Sequence, residues 1–368
     1  MRNPLRSDWF QRVLLPGFCF QSMIIAGGYG TGRELVDFFL TKGVVGGLLA
    51  MTLVTVPLWS AVCALTFELA RRARAWDYRT FARTLLGRGH WAYEVLYLAS
   101  LVVIVSVVAA AGGEIVSRAF GIPYAVGVAV IMVAVGWLVL RGTTTVENFL
   151  SFWSLALYAV YSLVLLAAVR AFGPQIAAAF GSGEITSDWA LGGAEYMAYN
   201  VGTLPALLFC AHHLRTRRDA VIAGVLAGPI GIIPAVLFFI AIAGLGPGMV
   251  DETVPSLTLL TRLGSPILLV AFQVVLFATL IETATSLIHA FNERVANALK
   301  EQGRRLDPRV RPLTSTVVLL VAVLLAQAGL EDLIGIGYRI LTYGFWLIFI
   351  LPLLWWGVRR FPRRDDAV

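Results

Sequence analysis

The stretch GGYGTGRE, at residues 27–34, interrupts an apolar segment that runs roughly from residue 13 to residue 40. Its four glycines within six residues weaken a helix, and an arginine and a glutamate follow at once. Both features are unfavourable in a helix that faces lipid, because unsatisfied backbone and charge at membrane depth must line a cavity or bind a ligand. The stretch therefore predicts a broken transmembrane helix.

The composition of the whole chain is typical of an integral membrane protein. Of its 368 residues, 58% are hydrophobic and 14% are charged, and the mean hydropathy is +0.80. Soluble domains average about 45–50% apolar and about 25% charged residues, so an ordinary soluble enzyme is excluded. We expect an all-α integral membrane protein with ten transmembrane helices, forming one transporter domain over residues 1–368. The ten apolar segments run roughly over 13–40, 44–69, 91–117, 124–140, 146–169, 193–213, 220–243, 265–292, 313–328 and 333–358.

The basic residues lie in clusters between the apolar segments, mostly on one side of the predicted membrane. Of 29 lysines and arginines, 23 fall on that side. The others are four on the opposite side and two inside predicted helices: Lys42, Arg118, Arg170, Arg262, Arg33 and Arg339. This bias predicts a multi-pass protein of the cell inner (plasma) membrane with both termini in the cytoplasm and a retained first helix. The net charge of +7 thus indicates orientation in a lipid bilayer and no nucleic-acid partner.

The sixth apolar segment is also interrupted, by YNVGTLP at residues 199–205. The two interrupted segments open two halves of five segments each, at about 13–169 and 193–358. Because five is odd, the second half enters the membrane from the opposite side, and such inverted repeats with broken helices are typical of secondary transporters. For either segment alone, a small-residue packing motif at Gly28 and Gly32 or a simple kink at Pro205 explains the sequence equally well.

Four motifs resemble those of the YkvI-like membrane proteins. They are GGYGTGRE at 27–34, AGGE at 111–114 followed by FGIP at 120–123, TATS at 283–286, and NER at 292–294. That group is similar to the amino acid–polyamine–organocation superfamily, so the resemblance implies a LeuT-type five-plus-five inverted repeat with helices 1 and 6 broken. Arg33 departs from the pattern, because many relatives are expected to carry a neutral amide there.

These features predict an ion-coupled secondary active transporter that works by alternating access on a small polar organic solute, amino-acid-like or an amine. We expect the solute to bind between the two broken helices. Backbone amides near Gly30 suit a carboxylate, and Arg33 would reinforce an anionic group, whereas Glu114 on the third helix would favour an amine. The predicted lining residues are Gly28, Tyr29, Gly30, Thr31, Gly32, Glu114, Asn200, Gly202 and Thr203.

We expect the coupling ion to be sodium. In sodium-coupled proteins with this fold, a hydroxyl pair on the eighth helix meets carbonyls freed where the first helix unwinds. Thr285 and Ser286 fit the hydroxyl pair, beside Glu282, with carbonyls from around Ile24, Ala26 or Gly27; hard cations prefer such oxygen ligands. Two alternatives stay open: hydroxyls bonded only within their own helix, and a proton carried by Glu282.

Four charged residues near the outer face are candidates for a gate: Arg33, Glu34, Asp37 and Arg339. Arg33 and Asp37 are four residues apart and can pair on one helical face. Arg339 lies about two turns inside the tenth segment, where a partner such as Glu34, Asp37 or Glu114 would offset the cost of burying it. Pairing without any gating role is equally consistent with the sequence.

Other functional classes are weaker. No metal motif, nucleophile elbow or phosphate-binding loop is present, so we do not expect an enzyme or a cofactor other than the coupling ion. A membrane-embedded enzyme using Glu282 and a passive channel are the remaining alternatives. The sequence leaves the identity of the solute, the direction of transport and the oligomeric state open.

Overall fold

The all-helical fold is confirmed by a computed structural model of the protein, which describes residues 8–25, 27–141, 143–301 and 310–360. Within these ranges the chain consists of helices and short connections, and no β-strand is present. A turn of π-helix at Phe10–Leu14 leads into the first helix.

Besides short 3₁₀ turns at Leu40–Lys42 and Gly87–Gly89, the described residues of the first half form eight helices. They are α1 (Leu15–Ile24), α2 (Gly27–Thr31), α3 (Arg33–Phe38), α4 (Val44–Ala73), α5 (Tyr78–Leu86), α6 (His90–Phe120), α7 (Tyr124–Arg141) and α8 (Thr143–Gly181). Helix α8 is kinked at Phe172, two residues before Pro174, because a proline ring clashes with the preceding helical turn.

Besides a short 3₁₀ turn at Pro247–Asp251, the described residues of the second half form six helices and a longer 3₁₀ segment. They are α9 (Trp189–Gly202), the 3₁₀ segment (Leu204–Ala211), α10 (Arg217–Ala243), α11 (Pro255–Leu263), α12 (Pro266–Glu301), α13 (Val310–Ala326) and α14 (Leu330–Arg359). The start of α10 is fixed by a capping box between Thr216 and Asp219.

In the described part of the chain, six helices are long and apolar enough to cross a membrane, namely α4, α6, α8, α10, α12 and α14. Helices α7 and α13 are shorter apolar helices at two further predicted segments. The remaining two predicted segments are the interrupted ones, α1–α3 and α9 with the 3₁₀ segment. The count of ten membrane crossings stays a prediction.

The first helix breaks just before the glycine-rich stretch. Helix α1 ends at Ile24, and Ile25 leaves the helical conformation with φ −81° and ψ 68°. Helix resumes at Gly27, and a second interruption follows at Gly32, whose φ of 83° strains any residue with a side chain. The predicted break is therefore present, with its first interruption two residues before Gly27.

Corresponding segments of the two halves lie against each other. Gly224 and Gly228 of α10 bring the backbone of α10 close to Ala64 and Ser60 of α4, and the Ser60 hydroxyl donates to the Val225 carbonyl at 2.9 Å. Likewise α1 contacts the 3₁₀ segment, and α6 contacts α12. Each of the first three predicted spans therefore packs against the span five further along the chain, as two halves around a common axis require.

Candidate functional site

Thr283 of α12 lies at the point where α1 ends. Its Oγ1 is 3.2 Å from the carbonyl oxygen of Ser22, 3.1 Å from that of Ile25 and 3.0 Å from that of Thr279. Only the Thr279 carbonyl belongs to the same helix, where it is the usual partner of a threonine hydroxyl one turn later. The other two contacts join the open end of α1 to α12 at a fully buried position.

A group of buried polar side chains lies on the two helices that make this contact. Its members are Gln21, Glu282, Thr285 and Ser286. Glu282 faces Cys19 and Ser22 of α1, but the Ser22 hydroxyl donates to the Cys19 carbonyl at 3.1 Å. In the part of the chain that the structure describes, no hydrogen-bond partner is present for either Glu282 oxygen, for the two hydroxyls or for the Gln21 amide. Such unsatisfied buried groups are rare and need an explanation.

The contact between α12 and the end of α1 involves different residues from those predicted to bind the ion. The hydroxyl at the break is that of Thr283, not that of Thr285 or Ser286, and the carbonyls are those of Ser22 and Ile25, not that of Ile24. Thr285 follows Thr283 by two residues and so lies about 200° around the helix from it. Ala26, another expected carbonyl, lies outside the described residues, and the carbonyls bonded to Thr283 are those of Ser22, Ile25 and Thr279.

Glu34 lies inside the protein rather than at the outer gate. Its side chain is fully buried and folds back over Gly28, where any added Cβ would collide with the Glu34 carboxylate. Oε2 of Glu34 accepts a hydrogen bond from the Tyr199 hydroxyl. The expected role of Glu34 as a partner of Arg339 is therefore not seen, because the Glu34 side chain points toward Gly28 and α9.

Arg33 and Asp37 form the predicted pair. The guanidinium donates to both carboxylate oxygens, at 3.2 and 2.7 Å, and also to the carbonyls of Val250 and Glu252 at 2.8 and 2.9 Å. Arg33 is thus held against the loop before α11. Its guanidinium is turned away from the break in the first helix.

A cavity of about 240 Å³ lies between this pair and Arg339 of α14. We call it the outer vestibule. Its lining is Arg33, Asp37, Phe38, Lys42, Glu195, Glu331, Ile334, Gly335, Arg339 and Thr342. Among the described residues no carboxylate lies within ion-pair distance of Arg339, although Asp37 is close enough to interact with it electrostatically. The predicted pairing of Arg339 is therefore not formed in this conformation.

The break in the sixth helix is closed by neighbouring side chains. The Gly202 carbonyl accepts a hydrogen bond from the Tyr93 hydroxyl at 2.7 Å, and the Phe345 ring occupies the space where a side chain at Gly202 would lie. Asn200 and Thr203 are buried and bond within their own helix, Asn200 to the Tyr196 carbonyl and Thr203 to the Asn200 carbonyl. Both remain near the break as predicted.

Other predicted lining residues point elsewhere. The Tyr29 hydroxyl lies 3.5 Å from the Gly231 carbonyl of α10, and its ring lies near Tyr161 of α8. Gly30 faces Leu276 of α12, while the Thr31 hydroxyl donates to the Gly28 carbonyl at 3.1 Å.

Glu114 does not lie with the residues near the two breaks. Its carboxylate pairs with Arg118 at 2.7 Å on the same helix and lies beside Tyr124 of α7. The neighbouring Gly112 and Gly113 likewise face α7, packing against Ile131 and Tyr124. The face of α6 that carries AGGE thus packs on α7, so Glu114 is not placed with the other predicted lining residues.

Ion pairs join the helices at the opposite, predicted cytoplasmic end. Arg12 lies 3.5 Å from Asp219 and Arg215 lies 3.1 Å from Asp8, which ties the start of the first helix to the start of α10. At the same end, Glu94 of α6 accepts from Arg294 of α12 at 2.5 Å. Ion pairs thus connect the helices at the predicted cytoplasmic end, and the vestibule lies at the outer end.

No family model matches the sequence, and no curated protein matches it either. Solved structures do match. MhsT in complex with L-phenylalanine aligns with a TM-score of 0.66 and 17% identity, over 92% of this chain and 88% of that one. A Na⁺-coupled sialic acid symporter aligns with a TM-score of 0.63 and 12% identity, over 98% and 82%. The Eremococcus coleocola manganese transporter aligns with a TM-score of 0.57 and 15% identity, over 96% and 80%.

The chain has a LeuT-type fold. The three neighbours have the LeuT fold, two of them are transporters by name, and each alignment covers most of both chains. At identities this low the likeness concerns the fold alone, so the predicted fold class is confirmed while the membership of the YkvI-like group stays a prediction.

Sequence reasoning missed several residues that the structure brings to the two breaks. Thr283 offers a hydroxyl oxygen beside the pair that was chosen for the ion, Thr285 and Ser286, and its spacing of four from Thr279 places both threonines on one helix face. The rings near Glu34 come from three elements: Phe38, Tyr196, Tyr199 and Tyr338. Only the i, i+3 spacing of Tyr196 and Tyr199 was visible in the sequence, since contacts between distant segments have no local signal.

Proposed function

We propose that the protein is a sodium-coupled secondary active transporter of a small polar organic solute, amino-acid-like or an amine, and a member of the YkvI-like group. The solute site lies between the two breaks, near Gly28, Thr31, Asn200, Gly202 and Thr203. Residues 1–368 form one domain with inverted halves at about 13–169 and 193–358, and both termini are cytoplasmic. The LeuT-type fold, the interrupted first and sixth helices and the membrane-length helices support this proposal.

The observation that carries the coupling proposal is the contact of Thr283 with the end of α1. One threonine hydroxyl has a single proton but faces three carbonyl oxygens within 3.2 Å. The hydroxyl can donate its proton to only one of these carbonyls. The other two carbonyl oxygens then face a lone pair of the hydroxyl oxygen, which is unfavourable without a positive charge. A sodium ion at this point would receive the carbonyls of Ser22 and Ile25 and the Thr283 hydroxyl as ligands. A structural neighbour that is a Na⁺-coupled symporter by name is consistent with this ion.

The test is a thermal-shift comparison of purified protein in sodium chloride and in potassium chloride at equal ionic strength, since an ion that binds the folded state stabilises it. We expect sodium to raise the Tm of the wild type and of Thr283→Ser, which keeps the hydroxyl. Thr283→Val keeps the shape of the side chain but removes the hydroxyl, so we expect sodium no longer to raise the Tm of this variant. The Thr285→Ala, Ser286→Ala double variant is expected to retain it.

Thr52→Val is the matched control, because the Thr52 hydroxyl is exposed and bonds only to the Leu48 carbonyl of its own helix. A sodium shift that survives in Thr283→Val but disappears in the double variant would return the site to Thr285 and Ser286. Saturable, sodium-driven uptake into sealed proteoliposomes then separates a transporter from a passive channel, for which gradients of sodium have no driving effect.

One observation favours a second candidate, a proton-coupled transporter or exchanger. Glu282 is buried beside α1, and both of its oxygens are without a hydrogen-bond partner in the described residues. A carboxyl in this position can bind a proton instead of contributing charge to a sodium site. Uptake driven by a pH gradient, without a sodium requirement, would favour this candidate.

A further inference from the structure

Aromatic rings enclose the buried carboxylate of Glu34. Tyr199 donates its hydroxyl to Oε2 and is stacked between Phe38, with ring centroids 5.6 Å apart, and Tyr338, with centroids 4.5 Å apart. Tyr196 lies edge-on to Tyr199 at 5.7 Å. We call these five residues the Glu34 cage. They come from α3, α9 and α14, which meet only in the folded protein.

Three oxygen atoms of the cage lack hydrogen-bond partners. They are Oε1 of Glu34 and the hydroxyl oxygens of Tyr196 and Tyr338, and each is buried with no partner in the described part of the chain. The two tyrosine hydroxyls are close enough to Glu34 to interact with it electrostatically. A protein rarely buries three such atoms together unless something else fills their hydrogen-bonding capacity.

The chemistry of these atoms identifies what they fit. A primary ammonium group has three N–H donors and one positive charge, which matches three oxygens of which one is a carboxylate. The nearby aromatic rings exclude water, which strengthens the attraction between this charge and the carboxylate. An anionic group would be repelled by Glu34, and Arg33, which could have attracted one, is bound to Asp37 and to two loop carbonyls.

The position of the cage suits a ligand that enters from outside. Phe38 belongs both to the cage and to the lining of the outer vestibule. Ile334 and Gly335 of the same lining lie in a π-helical turn, Leu333–Tyr338, that ends at the cage residue Tyr338. On the other side, the Glu34 side chain lies against Gly28, the first predicted residue of the solute site. The cage thus lies between the vestibule and the break in the first helix.

We propose that the Glu34 cage binds the primary ammonium group of a small organic amine or amino acid. The proposal rests on the proposed transport function only in taking this ligand to be the transported solute. Glu34 supplies the counter-charge, the hydroxyls of Tyr196 and Tyr338 accept N–H donors, and Tyr199 holds the carboxylate in place.

The test uses the purified full chain and three probes that differ only at one end: 4-amino-1-butanol, 1,4-butanediol and 4-hydroxybutanoate. We expect the amine to raise the Tm in a concentration-dependent manner, and the neutral and anionic probes to have no effect. Tetramethylammonium has the charge but no N–H donor, so it is expected to bind about tenfold more weakly than the amine or worse. Equal shifts with the diol and the amine would overturn the proposal.

Variants then locate the site. Glu34→Gln is expected to reduce the affinity for the amine about 30-fold or more, because the counter-charge is lost. Tyr196→Phe and Tyr338→Phe remove hydroxyls that have no partner, so each should leave the Tm without ligand unchanged or higher while weakening the amine about three- to tenfold. Glu184→Gln, at an exposed outer loop, is the control for the loss of one charge and should bind like the wild type.

The results separate this proposal from the transport function. If Glu34→Gln binds the amine with unchanged affinity, the proposal for the Glu34 cage is overturned. If Glu34→Gln does not fold, unchanged amine affinity in both Tyr196→Phe and Tyr338→Phe overturns it. Sodium-driven uptake of a solute without an ammonium group would refute the cage and leave the transport function standing. Amine binding that depends on Glu34 in a protein without gradient-driven uptake would support the cage and refute the transport function.

Discussion

Glu34 and Glu282 are both buried carboxylates near the break in the first helix, but their surroundings differ. Glu34 lies on the outer side among tyrosine and phenylalanine rings, and one of its oxygens accepts a hydrogen bond. Glu282 lies on the inner side, facing Cys19 and Ser22 of α1, and neither of its oxygens is satisfied in the described residues. Rings that surround a carboxylate suit an organic cation, whereas hydroxyls and carbonyls suit a metal ion or a proton. The two roles that we propose for the same type of side chain therefore follow from its neighbours.

The difference between Glu34 and Glu282 is expected to be largest in their effect on the free energy of unfolding without ligand. Glu282→Met replaces an unsatisfied carboxylate by an apolar group of similar length, and should raise the free energy of unfolding by about 2 kcal/mol. Glu34→Met also removes a carboxylate but leaves the Tyr199 hydroxyl without its acceptor, so its net effect should be near zero. Denaturant unfolding in sodium-free, amine-free buffer measures both. Equal effects would show that the two carboxylates are satisfied to the same degree.

Glu282→Gln sharpens the comparison on the ion side. The amide keeps an oxygen and nearly the same shape, so sodium coupling through Thr283 should survive with about tenfold weaker sodium affinity, equivalent to about 1.4 kcal/mol. Sodium titration of Tm and of uptake measures this, with Glu184→Gln as the control. If uptake is instead driven by pH and Glu282→Gln abolishes it, Glu282 carries the proton and the sodium assignment is incorrect.

The smallest effect is expected at the outer vestibule. Arg339 has no carboxylate within ion-pair distance in the described residues, and Asp37 is already bound to Arg33. We expect Arg339 to approach Asp37 when the vestibule closes, with a coupling of about 0.5 kcal/mol, because partly exposed pairs contribute little. A double-mutant cycle of Asp37→Asn and Arg339→Gln, read in the amine affinity, measures this coupling. A zero coupling would leave Arg339 without a gating role.

The sequence was most informative where one segment carries its own signal. The interrupted first and sixth segments were visible as glycine, proline and charge inside apolar runs, and the Arg33–Asp37 pair followed from their spacing of four. The boundaries of α7 agree with the predicted segment 124–140 to within one residue. The short helices α5 and α11 between the predicted spans were not anticipated.

Placement across helices was less predictable. Glu114 was assigned to the solute site, but its face of α6 packs on α7. Glu34 was assigned to the gate, yet Gly28 leaves a space into which its side chain folds. Thr285 and Ser286 were chosen for the ion, whereas the rotation of α12 presents Thr283 to α1.

By itself, the sequence determined the all-helical membrane class, the two interrupted helices and the types of side chain available at them. Hydropathy and backbone propensity act over a few neighbouring residues, so they can be read along the chain. Only the tertiary structure decided which of the buried groups meet: Thr283 with the end of α1, and Glu34 with tyrosines from α9 and α14. Those contacts depend on how each helix is rotated about its axis, and the sum of side-chain packing over the whole molecule sets that rotation.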